Sequence, residues 1–280
     1  MGPSARVRGP ALNVGKYGSL IVASLVAIVP IGVIVMASLK TTQEFLKGAP
    51  FEPPANWLNF DNYRIAFNEG GMALAFVNTT FILAISVVGS ILIGSMAAYA
   101  INRFEFRMKR VFVFLFLLAA LVPPVTAQVA TFQLVNGLGL FNTRWSAIVL
   151  FTSTDIVSIY IFLQFMRSIP RSLDEAALMD GASHFTIYRK VIFPLLKPAV
   201  ATVVIIKGVA IYNDFYIPFL YMPKKDLGVV ATSLFRFKGV FDERWEVIAA
   251  GVVIAIIPTL IVFLALQRYI YNGFTRGAAK

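Results

Sequence analysis

Long apolar runs, broken by short polar segments that are mostly basic, dominate the chain. A run of about 20 apolar residues is long enough to cross a bilayer as a helix. The pattern predicts six such spans: about 17–39, 72–101, 111–129, 145–165, 195–221 and 247–269. Pro30 sits inside the first, where neighbouring helices can satisfy the carbonyl it frees. Pro123-Pro124 falls in the outer half of the third and must interrupt its hydrogen bonding. In the second, Ser86, Ser90 and Gly94 recur every four residues, a stripe of small side chains suited to close helix contact. The expectation is an all-α polytopic membrane protein with six transmembrane helices over residues 17–269, an N-terminal tail at 1–16 and a C-terminal tail at 270–280.

The segment between the fourth and fifth runs, 170–194, is built differently from a plain linker. Ser172 and Glu175 have the spacing of a capping box, which predicts a helix start there. Gly181 can take a positive φ and end that helix, Ser183 can cap a second, and Pro194 limits its length. A helix of roughly eight residues does not hold itself together in water and needs a surface to lean on. Ala176 and Ala177 offer a nearly flat face, with Asp174, Glu175 and Asp180 around it. The segment reads as a docking foot.

Composition narrows the class. The 280 residues are 58% hydrophobic and 14% charged, with mean hydropathy +0.77, which excludes a soluble globular domain. The net charge of +11 suggests nucleic acid, but the cations lie in the short segments between apolar runs. Arg103, Arg107, Lys109 and Arg110 crowd one such segment, and Arg167, Arg171, Arg189, Lys190 and Lys197 surround the docking foot. By the positive-inside rule, these segments and both termini are cytoplasmic. With no cysteine and the single histidine His184, thiolate chemistry and a histidine-rich metal site are excluded. No cleavable signal peptide stands out. The chain has no Gly-rich phosphate loop of the Walker type, so it does not itself bind ATP in that way.

Polar residues inside the runs are candidate chemistry. Asp155 and Lys207 fall near mid-depth, where isolated charges are costly. Either they pair and lock two helices, or they line a wet substrate path. Tyr212-Asn213-Asp214-Phe215-Tyr216 combines hydrogen-bonding groups with aromatic faces, a composition suited to sugar hydroxyls. Asn78, Gln128 and Gln164 are expected to bond between helices. No acid–base pair, metal-ligand cluster or activated nucleophile occurs at membrane depth, so an enzyme is not expected. The absence of visible internal repeats argues against an ion-driven secondary transporter.

Glu175-Ala176-Ala177, then Gly181, Val191, Phe193 and Pro194, resembles the EAA loop of permease subunits in bacterial ABC importers, with Val191 and Phe193 as apolar exchanges at intact spacing. The likeness extends to the carbohydrate-importer permeases of the MalG type. It is carried by Ala98-Tyr99-Ala100-Ile101-Asn102-Arg103, Pro123-Pro124, Gly137-Leu138-Gly139 and the tail Arg276-Gly277-Ala278-Ala279-Lys280. That resemblance implies the MetI/MalG-like type I importer permease fold in a bacterial plasma membrane. It implies coupling helices that seat Glu175, Ala176, Ala177, Asp180 and Gly181 on an ATPase subunit. It also implies a sister permease, two ATP-binding subunits that hold the ATP and Mg, and an extracytoplasmic solute-binding protein. The expected cargo is a sugar or oligosaccharide. The alternative is a polyol or glycerol phosphodiester; a phosphate would call for a cation in the path, and Lys207 is the one candidate in a span.

Overall fold

The computed structural model describes residues 10–123, 125–153, 156–238 and 243–278. In chain order its helices are α1 (Pro10–Leu39), α2 (Thr42–Lys47), α3 (Asp61–Asn68), α4 (Met72–Arg103), α5 (Lys109–Leu121) and α6 (Gln128–Gly137). Then come α7 (Arg144–Thr152), α8 (Ile156–Arg167), α9 (Ser172–Met179), α10 (His184–Ile187) and α11 (Phe193–Leu195). The last are α12 (Lys197–Asn213), α13 (Tyr216–Tyr221), α14 (Val230–Ser233) and α15 (Trp245–Ala278). The described residues form no strand beyond one isolated bridge, Lys238 to Glu243. The all-α expectation holds.

Three described helices are long and apolar enough to cross a membrane alone: Lys16–Leu39, Met72–Arg103 and Trp245–Ala265. Two bent pairs, α7 with α8 and the continuous segment His184–Leu195 with α12, raise the number to 5 if each is one span. The run expected at 111–129 becomes the 13-residue α5, which stops before Pro123. At 1.5 Å per residue it reaches about 20 Å, less than the ~30 Å of bilayer hydrocarbon. A proline that cannot donate ends the helix here instead of merely bending it.

The chain divides into two compact units, Met1–Gly70 with Leu234–Ile256, and Gly71–Ser233 with Ile257–Lys280. In the first, buried polar groups pin the connections. Asn62 donates to the carbonyls of Ser38 (2.9 Å) and Lys40 (2.7 Å), and buried Glu246 accepts from Thr42 at 2.8 Å. Thr41 and Glu44 form a complete capping box at the start of α2.

The second unit is organised on α4, which packs against α7, α8 and α12. The small-residue stripe is its contact face. Ser86 and Ser90 are fully buried, and a methyl at Gly94 would stand 3.3 Å from the Phe162 ring on α8. Gly89 meets Thr152 of α7 still more tightly. Around these contacts Ile82, Ile91, Ala98, Phe151, Phe162 and Val203 form the core. Glycine and serine admit the neighbouring helices to close range, and the large side chains fill in between.

Candidate functional site

The polar segment after α8 is held by its back to the end of α4. Helix α9 begins at Ser172, with Arg171 at its cap position and no side-chain cap bond, so the expected capping box does not form. Ser172 is already inside the helix, one residue further along than the capping geometry requires. Longer-range ties set this start. Arg171 donates to the Asn102 carbonyl at 3.0 Å, and Asp174 makes a 3.1 Å ion pair with Arg103. Arg103 also donates to the Ile169 carbonyl at 3.0 Å, and the Tyr99 hydroxyl donates to Asp174 at 3.4 Å. The side chains of Arg103 and Asp174 are 7% and 13% exposed. A pair this far from water is costly to form and more costly to break on one side.

Gly181 adopts φ +80° and ends α9 as expected. The amide of Ala182 bonds to the Ala177 carbonyl and that of Gly181 to Leu178, the paired closure of a Schellman motif. Asp180 occupies the cap between them. Ser183 then caps α10 by accepting from the Thr186 amide at 3.3 Å. His184, on the surface, sets its ring edge-on to Phe104 at 4.9 Å. The backbone widens to π-helical turns over Tyr188–Ile192, and the chain breaks at Leu196 with a 73° bend. Buried Tyr188 places its hydroxyl 2.7 Å from that of Ser95.

Ser95, Tyr99 and Arg103 stand four residues apart on one stripe of α4 and grip the segment at Tyr188 and Asp174. Sequence reasoning passed over this grip, although the four-residue recurrence was there to be read. The opposite side of the segment is open. Glu175 and Ala176 are exposed, as are Leu178, Met179 (88%) and Phe185 (62%). The two alanines point to different surroundings: Ala177 packs on the core, so Ala176 alone lies on the open face.

The other candidates lie elsewhere in this unit. Lys207 donates to the Phe151 carbonyl at 3.0 Å, beside the break between α7 and α8. Asp155 lies outside the described residues. Asn213 donates to the Val209 carbonyl of its own helix at 2.8 Å. Asp214 ends α12 and accepts from the Ile217 amide in the first turn of α13 at 2.8 Å. Tyr212 is half-buried and its hydroxyl bonds to Thr259. A helix break thus sits in the middle of the aromatic run. Asn78 does bond between elements: it donates to the carbonyls of Asp226 and Gly228, both at 2.9 Å, and accepts from Arg144 at 2.8 Å. Gln164 instead donates to Tyr160, one turn away on its own helix. No group of acidic or histidine side chains able to hold a metal occurs among the described residues.

The family model described as the binding-protein-dependent transport system inner membrane component matches residues 90–276, which include the whole α4–α9 junction. The chain belongs to that family. This permease is 31% identical over 254 residues to the melibiose/raffinose/stachyose import permease protein MelC of Bacillus subtilis, covering 90% of this chain and 91% of that one. It is 33% identical to the trehalose transport system permease protein SugB of Mycobacterium tuberculosis, with 91% and 93% of the chains covered. The multiple sugar-binding transport system permease protein MsmG of Streptococcus mutans is also 33% identical, over 95% and 96%. In fold the permease is similar to a chain of a bacterial ABC transporter involved in the import of the acidic polysaccharide alginate. The TM-score is 0.80 at 24% identity, over 92% of this chain and 96% of that one. The permease is a multi-pass inner-membrane transport subunit of the ABC-importer class and not an enzyme.

Proposed function

We propose that this permease forms half of the translocation pathway for a sugar or oligosaccharide, and that ATPase subunits drive it through residues 172–187. The observation that carries the coupling reading is the two-sided build of this segment. Its back is fixed to α4 through Asp174 and Tyr188, while Glu175, Ala176, Met179 and Phe185 are left open. Exposed apolar side chains beside a carboxylate suit a partner groove with a basic residue in it. ATP and Mg then belong to the two ATPase subunits, and this chain moves in response. The basic segments favour a cytoplasmic position for this face and for both termini. A sister permease supplies the other half of the pathway, and an extracytoplasmic binding protein delivers the cargo.

The sugar class rests on the relatives named above, whose names specify melibiose, raffinose, stachyose and trehalose. Tyr212, Asn213, Asp214, Lys207 and Asp155 are our candidates for the lining. The break at Asp214 exposes backbone polar groups at membrane depth, which is tolerated inside protein or beside a wet cavity. The test is purification with co-expressed partners, then binding-protein-dependent ATP hydrolysis against a panel of sugars and polyols. One or more sugars should raise hydrolysis, and Glu175→Lys should abolish that rise or dissociate the ATPase. Full transport by the Glu175→Lys complex, or uptake by this chain alone driven by an ion gradient, would refute the proposal.

A further inference from the structure

A groove of about 330 Å³ opens between the end of α4, α5 and α8. One end of it is cationic. Lys109 begins α5, Arg167 ends α8, and Arg171 stands four residues later at the cap position of α9. These residues lie at the same end because Glu105 touches two of them, Lys109 at 2.9 Å and Arg171 at 3.7 Å. Glu105 is the one carboxylate paired with these three cations among the described residues, and Arg167 has no ion-pair partner there. Beyond the cations the walls turn apolar: Val113 and Leu117 on α5, Ile156 and Leu163 on α8, with buried Ile159 behind. From Lys109 to Leu117 is about 12 Å along α5, and from Arg167 to Ile156 about 16 Å along α8. Half of the ~30 Å hydrocarbon layer is about 15 Å. The groove therefore has the section of one lipid leaflet, with positive charge at headgroup level and an apolar slot down to the bilayer centre.

We propose that this groove binds an anionic phospholipid of the leaflet on the side of α9. The phosphate lies on Lys109, Arg167 and Arg171, and one acyl chain runs between Val113 and Leu117 on one wall and Ile156 and Leu163 on the other. Basic pockets between membrane helices attract anionic headgroups through the charges that line them. A zwitterionic lipid such as phosphatidylcholine brings the same phosphate but also a choline cation that the three basic side chains repel, and a free anion gains only the rim. Arg171 belongs to this rim and also bonds to the Asn102 carbonyl, so the headgroup sits at the root of the coupling helix.

Native mass spectrometry of the purified, assembled importer tests this, with phosphatidylglycerol, phosphatidylcholine of the same chains and inorganic phosphate as probes. Phosphatidylglycerol should be retained in preference to phosphatidylcholine. Lys109→Gln with Arg167→Gln should weaken that retention on the order of 10-fold. Leu163→Trp, which fills the slot and keeps every charge, should weaken it independently, so failure of one variant to assemble leaves the other to decide. Inorganic phosphate should not displace the lipid. Equal retention of the two lipids, or unchanged retention in an assembled variant, overturns the site; the latter is also the result if a sister subunit covers the groove. Displacement by phosphate overturns it in favour of a bare anion site.

Discussion

Asp174→Asn removes one charge from the pair that fixes α9 to α4 and nearly preserves the shape of the side chain. The pair is 3.1 Å long, and its side chains are 7% and 13% exposed. The same molecule supplies a control, Arg64 with Asp61 at 3.6 Å, whose side chains are 73% and 74% exposed. Removing one partner of a buried pair costs about 3–5 kcal/mol, because the other charge stays behind unpaired. Removing one partner of a surface pair costs ~0–1 kcal/mol. Tyr99 and the Ile169 carbonyl remain as partners after the change, so the lower end, about 3 kcal/mol, applies. Helix α9 has no fully buried residue of its own, so this cost falls on its docking and not on the whole fold. At ~1.4 kcal/mol per factor of ten, the undocked population rises about 100-fold. Hydrogen–deuterium exchange of the reconstituted complex reads this directly. Amides 172–182 should exchange about 100-fold faster, with those of α4 unchanged. Transport per ATP should fall, and Arg103→Asp with Asp174→Arg should recover part of both. Exchange unaltered by Asp174→Asn, or altered as much by Asp61→Asn, would refute the assignment.

Gly181→Val should weaken partner assembly more than Gly181→Asn. Space around the residue is open, so the penalty is the left-handed φ alone, ~1–2 kcal/mol, read as co-purification yield. Gly94→Val should lower the thermal midpoint in detergent, because overpacking against Phe162 costs roughly 1–3 kcal/mol, while Gly137→Val, in open space, should not clash. Glu105 is held below its ordinary 4.5 by the hydrogen bond from Lys109, then by that ammonium's charge and by Arg171. A lowered carboxylate value means its ties stabilise fully above pH 4.5 and are lost as pH falls through the lowered value. A carboxyl NMR titration should show that midpoint climbing back toward 4.5 in Lys109→Gln.

The parts legible in the sequence were those set by local rules or by membrane depth. The second span, the stripe at Ser86, Ser90 and Gly94, the positive φ at Gly181 and the cap at Ser183 each follow from one residue type meeting one constraint. The capping boxes show where local rules end. Thr41 with Glu44 and Ser172 with Glu175 have the same spacing, yet only the first forms. At the second, the ties from Arg171 to the Asn102 carbonyl and from Asp174 to Arg103 draw Ser172 into the helix, and no local pattern reveals a partner some 70 residues away. The outcome bears on the proposed coupling. A Glu175 carboxylate spent on its own helix cap would be unavailable to a partner, and the register found leaves it exposed. Likewise Pro123 announced an interruption, but whether a kink or a terminus follows depends on what packs beside it.

Helix α4 then explains why the foot can matter far from where it stands. Asn78, near its start, holds the Asp226 and Gly228 carbonyls and Arg144; Arg103, at its end, holds Asp174 and the Ile169 carbonyl. Between them lie about 37 Å of continuous helix with no proline inside, seated along its small-residue stripe on α7 and α8. A helix clamped at both ends and closely packed along one face has no soft point at which to absorb a displacement. A pull on α9 therefore either moves α4 with its neighbours or breaks the Asp174–Arg103 pair, and the buried pair makes the second route the costly one. If ATPase subunits act on this segment as proposed, the charge at Asp174 sets how much of their stroke α4 carries.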